Sequence, residues 1–354
     1  MDCTYCYVRK ENTKTSLSLS ECLLGVDTLL KSKGRQKTIQ FLGGEPLLEY
    51  KKVIKIMNYA ASHSCGKQID FIISTNGLLL DRKKMDFFNK YDSLVIVSID
   101  GSAKTHDLYR KIKGSDQSSF DIITGNIRNI KEGRERLMAS YVFTPKTINE
   151  ALANVKNLVR IGFRMIDFQL DVNTVIDIQC LGDLRKFLNN FKKYYLEIFR
   201  EGKMEQMFSV PAINSLVREE FSFSSMWCDS FLLAPDKKYY SCGRLLGLSD
   251  DQRKPYSFGT ASQGIDQRRR AVLLAKSRKE IDDLFQRCRK CGFQQYCFCK
   301  IATYLHCKAK RGDVKKSLDT ICHYAKEYNG TMLHIIKKLR EEKNPYFKKI
   351  YNLK

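Results

Sequence analysis

Two cysteines and two tyrosines fall within the first seven residues, in the segment MDCTYCY. Cys3 and Cys6 are three positions apart, so one tight loop can bring both thiolates to a single zinc ion or iron-sulfur cluster. Two protein ligands complete neither kind of site. Because a terminal segment is normally frayed, these residue types at this place predict that the segment is ligated or packed.

A second group of cysteines lies in the last third of the chain, where eight of the thirteen fall between Cys228 and Cys322. Their spacing is Cys228-x13-Cys242, then Cys288-x2-Cys291-x5-Cys297-x-Cys299, then Cys307 and Cys322. From this spacing a zinc ribbon or a pair of iron-sulfur sites fits, because both combine closely paired thiolates with distant ones. An odd number of cysteines also indicates metal ligation rather than disulfides.

Short polar motifs follow apolar runs in the first half of the chain. In FLGGEPLL the glycines let a ligand approach the backbone, and Glu45 can accept charge-assisted hydrogen bonds from an ammonium group. The further motifs are ISTNG, VSIDG and HDLYR, which supply Ser74, Asn76, Ser98, Asp100 and Arg110.

The elements that position these motifs alternate along the chain. The apolar runs KTIQFLGG, QIDFIISTNG, SLVIVSIDG, LMASYVFTP and RMIDFQLDVN predict strands, and the segments between them predict helices. One of these, KKVIKIMNYAASHS, places Val53, Ile56, Met57 and Ala60 on a single helical face. Repeated strand-helix units predict a parallel sheet or barrel, with its chemistry at the carboxyl ends of the strands.

Beyond about residue 180 the pattern becomes helical, and after Ser225 cysteines dominate. We therefore predict a barrel-like domain over residues 1–210, a cysteine-ligated domain over 211–330 and a basic helical tail over 331–354. No apolar run reaches the roughly 18 residues of a membrane helix, and no cleavable leader precedes the first motif. These features predict a cytoplasmic protein that does not contact membranes.

The formal charge of +23 favours acidic partners, although dispersed lysines also fit a solvated basic surface. Charge and paired cysteines together allow a zinc-binding nucleic-acid protein. The strand-helix organisation, and the lack of an interleaved aromatic and basic patch, disfavour nucleic acid.

The motifs CTYCY, GGEPLL, STNG and VSIDG…HDLYR, in this order and spacing, resemble the radical S-adenosylmethionine (radical SAM) enzymes with a cysteine-rich SPASM extension. The resemblance covers nearly the whole chain. It implies an α/β fold, a partial (β/α)6 TIM-like barrel whose first strand is missing, followed by a SPASM iron-sulfur region.

In that family a Cys-x-x-x-Cys-x-x-Cys loop binds a 4Fe–4S cluster, to which S-adenosylmethionine binds before it is cleaved to a 5′-deoxyadenosyl radical. Cys3 and Cys6 match the second and third cysteines, and Tyr5 matches the aromatic residue between them. The first cysteine would stand two residues before Met1, so we expect the true motif to begin upstream and this chain alone to cleave S-adenosylmethionine poorly. Cys22 is a poor substitute, since its helix-like surroundings predict a small buried residue.

The resemblance also assigns the cofactor contacts. Gly43, Gly44 and Glu45 match the segment that holds the methionyl ammonium, and Arg110 would meet the carboxylate. Ser74, Asn76, Ser98 and Asp100 match strand ends that face the cofactor, although turn or capping roles fit the serines equally well. His106 and Asp107 are predicted to be structural.

In the SPASM region one auxiliary cluster would use Cys288, Cys291, Cys297 and Cys322, and a second would use Cys228, Cys242 and Cys299. Two departures put the second cluster in doubt: Ile301 stands where the family has a cysteine, and Lys237 where it has a glycine. Cys307 is a candidate substitute. Cys65 and Cys180 are predicted to be buried thiols.

SPASM enzymes mostly modify peptides or proteins. The sulfatase-maturing branch carries an aspartate after the second SPASM cysteine, where this chain has Gly243. The resemblance therefore favours a peptide maturase that crosslinks a ribosomally made peptide with an acidic leader, using a reducing electron donor. The alternatives are a sulfatase-maturating type of enzyme and a catalytically impaired fragment. No catalytic side chain is predicted.

Overall fold

The computed structural model describes residues 1–6, 8, 16–171, 177–218, 230–284, 286, 290–293 and 313–353. Five of the cysteines considered as ligands lie outside the described residues, namely Cys228, Cys288, Cys297, Cys299 and Cys307.

The chain divides into two compact units, each made of separate stretches of sequence. The first unit comprises Met1–Tyr5, Ser74–Phe221 and Thr320–Lys354, and the second comprises Cys6–Ile73 and Ser222–Asp319. The domain boundaries near residues 210 and 330 stay a prediction.

The strands, in chain order, are β1 Asp2–Cys3, β2 Gln36–Phe41, β3 Gln68–Thr75, β4 Leu94–Ser98, β5 Arg110–Lys111, β6 Leu137–Phe143, β7 Met165–Leu170, β8 Leu232–Leu233, β9 Tyr239–Tyr240, β10 Gly259–Thr260 and β11 Gly264–Ile265. The main sheet has the order β2-β3-β4-β6-β7, and the pairs β2-β3, β4-β6 and β6-β7 run parallel. Antiparallel pairs join β1 to β5, β8 to β9 and β10 to β11. Among the described strands the main sheet does not close on itself.

The helices are α1 Leu19–Lys31, α2 Tyr50–Ser62, α3 Arg82–Asn89, α4 Ala103–Tyr109, α5 Ser119–Asn129, α6 Ala151–Ile161, α7 Ile178–Arg200, α8 Pro211–Arg218, α9 Asp250–Arg253, α10 Gln267–Leu284, α11 Val314–Glu341 and α12 Pro345–Ile350. None of the described helices is both long and apolar enough to cross a bilayer.

The predicted α/β organisation is confirmed, because each of the five apolar runs contains a strand of the main sheet. Helix α2 buries Val53, Ile56, Met57 and Ala60, the four residues predicted to share a face. Helix α1 begins with a capping box in which Ser18 and Glu21 satisfy each other's backbone amides.

Each unit has its own apolar core. In the first unit, the rings of Phe168 on β7 and Phe191 on α7 pack with centroids 4.7 Å apart, and Tyr328 of α11 adds a further ring contact. In the second unit the core cluster contains Ala234, Tyr240, Leu245, Leu246, Leu248 and Ile281. Burial of each large apolar side chain stabilises its unit by about 1.5–3 kcal/mol.

Candidate functional site

The N-terminal segment is held in place by backbone pairing. Cys3 pairs with Arg110 and Asp2 with Lys111 across the β1-β5 ladder, and the Thr4 amide donates to the Tyr109 carbonyl at 2.9 Å. The N-terminal segment that contains Cys3 and Tyr5 is therefore packed rather than frayed, as its residue types predicted.

The carboxylate of Asp100, just beyond the end of β4, collects four hydrogen bonds. Oδ1 accepts from Arg110 Nη2 and from the Val142 amide, both at 3.1 Å. Oδ2 accepts from Arg110 Nε at 2.8 Å and from the hydroxyl of Tyr5. Asp100 and Arg110 are 1% and 6% exposed, so this ion pair is buried and its carboxylate is fully hydrogen-bonded.

The electrostatics of this group favour one protonation state. Burial raises the pKa of Tyr5 far above its usual value, and hydrogen bonding to the Asp100 anion raises it further. Burial lowers the pKa of Arg110, but the adjacent Asp100 carboxylate more than offsets this and the net change is upward. At neutral pH Tyr5 is therefore a neutral donor, and Arg110 keeps its positive charge.

The turn that carries Asp100 is held by helix α4. The Asp100 amide donates to His106 Nδ1 at 3.1 Å, and Thr105 Oγ1 donates to the Asp100 carbonyl at 2.7 Å. Burial lowers the pKa of His106 to about 4, so its ring is neutral at pH 7. Asp107 accepts hydrogen bonds from Ser118, Ser119 and the Phe120 amide at the start of α5. These contacts agree with the structural roles predicted for His106 and Asp107.

Three polar residues share one face of the sheet within the first unit. Ser98 of β4 pairs with Ser140 of β6, and Ser140 pairs with Asp167 of β7, so their side chains are neighbours on one face. Asp167 accepts a hydrogen bond from Gln169 Nε2 at 2.6 Å, and burial raises its pKa despite that bond. Sequence reasoning missed Ser140, Asp167 and Gln169. Asp167 and Gln169 could have been found from the alternation of polar and apolar residues in RMIDFQLDVN, because this alternation predicts a strand with one polar face.

The residues after β3 make local turn contacts. Asn76 Oδ1 accepts from the Leu78 amide at 2.9 Å, and Thr75 Oγ1 accepts from the Gly77 amide at 3.0 Å. Ser74 is half-buried near the strand end. These contacts show turn roles, and cofactor contacts for Ser74 and Asn76 stay a prediction.

In the second unit the GGE motif leaves its backbone open. Gly43 has φ of +134°, and among the described residues no atom outside the chain neighbours lies within 4 Å of a Cβ built at Gly43 or Gly44. Glu45 is half-buried, and its Oε1 accepts from the Leu47 amide at 3.0 Å, which caps a short 3-10 helix over Pro46–Glu49. Glu45 thus has a structural contact, and its predicted contact with an ammonium group stays a proposal.

The described ligand candidates differ in exposure. Cys6 is exposed, Cys3, Cys291 and Cys322 are half-buried, and Cys242 is buried. The residues that the structure describes contain no group of three His, Cys, Asp or Glu side chains that could hold a metal ion. Lys237 has φ of +64°, so the position where the family has glycine does adopt the left-handed conformation that glycine favours.

The cysteines predicted to be non-ligands behave differently from one another. Cys180 is buried, as predicted, and Cys22 is half-buried in α1 with its pKa raised by burial. The prediction of a buried Cys65 was wrong, because this residue is exposed in the turn between α2 and β3 at φ of +50°. This connection between a helix and a strand runs over the surface, so no core covers the Cys65 side chain.

Comparison with known proteins matches residues 1–168 to the radical SAM superfamily. A serine-type anaerobic sulfatase-maturating enzyme of Bacteroides thetaiotaomicron is 34% identical over 134 residues, 35% of this chain and 32% of that enzyme. The radical SAM cyclopropyl synthase TigE of Paramaledivibacter caminithermalis is 29% identical over 172 residues, 44% of this chain and 35% of that enzyme. The chain thus spans about a third of the length of these curated relatives.

The fold is similar to that of a solved structure over nearly its whole length. Native anSMEcpe with bound AdoMet and Cp18Cys peptide matches with a TM-score of 0.69 at 19% identity, over 96% of both chains. At this identity the likeness concerns the fold. Residues 1–168 therefore resemble the radical SAM superfamily, and the fold of the chain is similar to that of this solved structure.

Proposed function

We propose that this chain is a radical SAM enzyme that modifies a peptide, most simply by forming a crosslink in a ribosomally made precursor. The observation that carries the proposal is the anchoring of the CTYC motif, through Cys3 and Tyr5, beside the strand-end residues Asp100 and Arg110. The peptide bound in the similar solved structure supports the substrate class.

The residues present fit the cofactors of the superfamily. Cys3 and Cys6 carry reduced thiols, which are soft ligands suited to iron-sulfur clusters. The open backbone at Gly43 and Gly44 leaves room for close approach of a ligand. When bound, a 4Fe–4S cluster and S-adenosylmethionine would supply a 5′-deoxyadenosyl radical able to abstract hydrogen from a carbon atom.

Two of the chain's own residues would take part: Glu45 would hold the cofactor, and Asp167 would accept a proton from the peptide. Glu45 would attract the methionyl ammonium with its charge while its Oε1 still caps the 3-10 helix. A crosslink would remove two hydrogens from the peptide: one as an atom that ends in 5′-deoxyadenosine, and the other as a proton whose electron an iron-sulfur cluster would take as the oxidant. Asp167 is a candidate to receive that proton, because burial makes its carboxylate more basic than usual.

The experiment uses the protein expressed from its natural gene and reconstituted anaerobically with iron and sulfide. Incubation with S-adenosylmethionine, reductant and a precursor peptide with an acidic leader and a cysteine-containing core should yield 5′-deoxyadenosine and a peptide about two mass units lighter. Absence of 5′-deoxyadenosine would contradict the radical SAM activity. A colourless protein that holds zinc and no iron would favour the zinc-binding alternative.

Sulfatase maturation is the second candidate, since a sulfatase-maturating enzyme is among the relatives. Gly243, directly after Cys242, argues against it because that branch of the family carries an aspartate there. The same assay with a sulfatase-derived cysteine or serine peptide separates the two. Oxidation of that peptide alongside an unchanged precursor would reverse the ranking.

A further inference from the structure

We propose that Tyr5, Asp100 and Arg110 form a triad that fixes the cysteine loop before any cluster binds. In this role the three are positioning residues, and the ligand they position is Cys3. The inference rests on the proposed function, since it concerns the loop that would hold the cluster.

The geometry of the triad indicates positioning rather than a direct cofactor contact for Asp100. Both carboxylate oxygens already accept two hydrogen bonds each, from Arg110, the Val142 amide and Tyr5. This carboxylate joins the N-terminal loop, the start of β5 and the strand β6. A carboxylate with this many protein donors has little capacity for a further ligand.

The ring of Tyr5 adds two contacts to its hydrogen bond. The Arg110 guanidinium lies 5.1 Å from the Tyr5 ring centroid, and the Tyr109 ring lies 5.3 Å from it. Arg110 also pairs through its backbone with Cys3 in the β1-β5 ladder. A single residue thus holds Cys3 by its backbone and Tyr5 by its side chain, so the triad restricts the loop on both sides of Thr4.

The consequence is a rigid loop in the cluster-free protein. A charged hydrogen bond between Tyr5 and a buried carboxylate is among the stronger kinds. Without it, the loop loses its side-chain hydrogen bond to the Asp100 carboxylate and keeps the short β1-β5 pair, the Thr4 bond to Tyr109 and the ring contacts. Short terminal strands fray readily. Loss of the Tyr5 hydroxyl should therefore raise the mobility of Cys3 while the two units stay folded.

The test compares Tyr5→Phe with the matched control Tyr109→Phe. Both changes remove one tyrosine hydroxyl from neighbouring rings, but the Tyr109 hydroxyl bonds Thr144 Oγ1 at 2.8 Å and not Asp100. In cluster-free protein, alkylation of Cys3 by iodoacetamide and amide exchange of residues 2–5 are followed by mass spectrometry. The exposed Cys6 serves as an internal reference.

We expect Tyr5→Phe to speed the alkylation of Cys3 and the amide exchange of residues 2–5 about fivefold to tenfold. The reason is that one hydrogen bond no longer opposes opening of the loop. Tyr109→Phe should leave both rates unchanged. After iron and sulfide are added, Tyr5→Phe should also weaken the thiolate-to-iron absorption relative to the control, and Asp100→Asn should do the same if it folds.

The proposed role of the triad would be overturned if alkylation and amide exchange were as slow in Tyr5→Phe as in the unaltered protein. Equal acceleration in Tyr5→Phe and Tyr109→Phe would overturn it as well. Because these rates are measured without cluster or S-adenosylmethionine, they do not depend on the proposed activity. A protected Cys3 in a protein that never forms 5′-deoxyadenosine would keep the triad and reject the proposed function.

Discussion

Asp167 is a carboxyl group on the half-buried face of β7, where the amide of Gln169 is a hydrogen-bond partner at 2.6 Å. Burial raises its pKa, so the folded protein binds a proton there more readily than the unfolded chain does. Below the ordinary aspartate pKa both states are protonated and the group has no effect. As pH rises through the folded-state pKa, the charged form destabilises the folded protein, by about 1.4 kcal/mol for each tenfold difference in proton affinity between the two states.

We therefore predict that Asp167→Asn becomes more stable relative to the unaltered protein as pH rises from acid to neutral. The asparagine keeps the shape and cannot be ionised. Urea unfolding at a series of pH values measures this difference, and Asp116→Asn, at an exposed position, is the control. A difference that does not change with pH would show that Asp167 is not held in a desolvated place.

Glu45 combines a structural contact with a charge that the family resemblance assigns to cofactor binding. Glu45→Gln keeps an oxygen to accept from the Leu47 amide and removes only the charge. In reconstituted natural protein, we expect it to weaken S-adenosylmethionine binding by about 1.5–3 kcal/mol with total iron unchanged, as measured by equilibrium dialysis. Glu49→Gln, at the end of the same 3-10 helix, should bind normally. Unaltered binding by Glu45→Gln would leave Glu45 with a capping role alone.

At the scale of elements, the turn between β4 and α4 depends on a glycine. Gly101 has φ of +90°, and a Cβ at this position would lie 2.3 Å from Cβ of Asn154 and 2.7 Å from its Cα. Gly114 also has positive φ, but among the described residues nothing outside the chain neighbours lies within 4 Å of its Cβ position. An alanine at Gly114 would therefore meet only the cost of a left-handed backbone, whereas an alanine at Gly101 would meet that cost and a steric overlap as well.

We predict that Gly114→Ala lowers the free energy of unfolding by about 1–2 kcal/mol, from backbone conformation alone. Gly101→Ala should lower it by at least about 3 kcal/mol, since overlap with a neighbouring backbone adds to that penalty. Urea midpoints at constant slope measure both values. Similar losses at the two positions would mean that Asn154 can move away at little cost.

At the scale of the whole molecule, the formal charge of +23 is the largest electrostatic feature. The proposed peptide substrate would be attracted by this charge if its leader is acidic. Attraction between exposed charges weakens as salt screens them, with a Debye length of about 10 Å at 0.1 M. We predict that the affinity for such a peptide falls steeply with added salt. Fluorescence anisotropy at several salt concentrations measures it, with a control peptide whose acidic residues are changed to amides. If both peptides bind alike at low salt, charge does not select the partner.

Much of the fold and some of the site were predictable from local patterns. The five strands of the main sheet and the buried face of α2 follow from the spacing of apolar residues, because each element buries its own apolar side. The anchoring of the N-terminal segment also followed from residue types.

Side-chain contacts between residues far apart in the sequence were not predictable from local patterns. Arg110 was expected to face a ligand carboxylate, and in the structure its side chain pairs with Asp100. The Asp100 carboxylate also accepts from the Val142 amide and from Tyr5, which is 95 positions away in the chain. Asp167 went unnoticed because only the strand register places it beside Ser140 and Ser98.

The sequence by itself therefore determined the element types and their order, and it supplied the candidate cluster ligands as a prediction. These depend on local periodicity and on side-chain chemistry. Only the tertiary structure decided which charges neutralise one another, which carboxyl group is desolvated and which cysteine is exposed. Those properties depend on strand pairing between residues far apart in the chain and on the burial of their side chains. The spacing of residues along the sequence specifies neither.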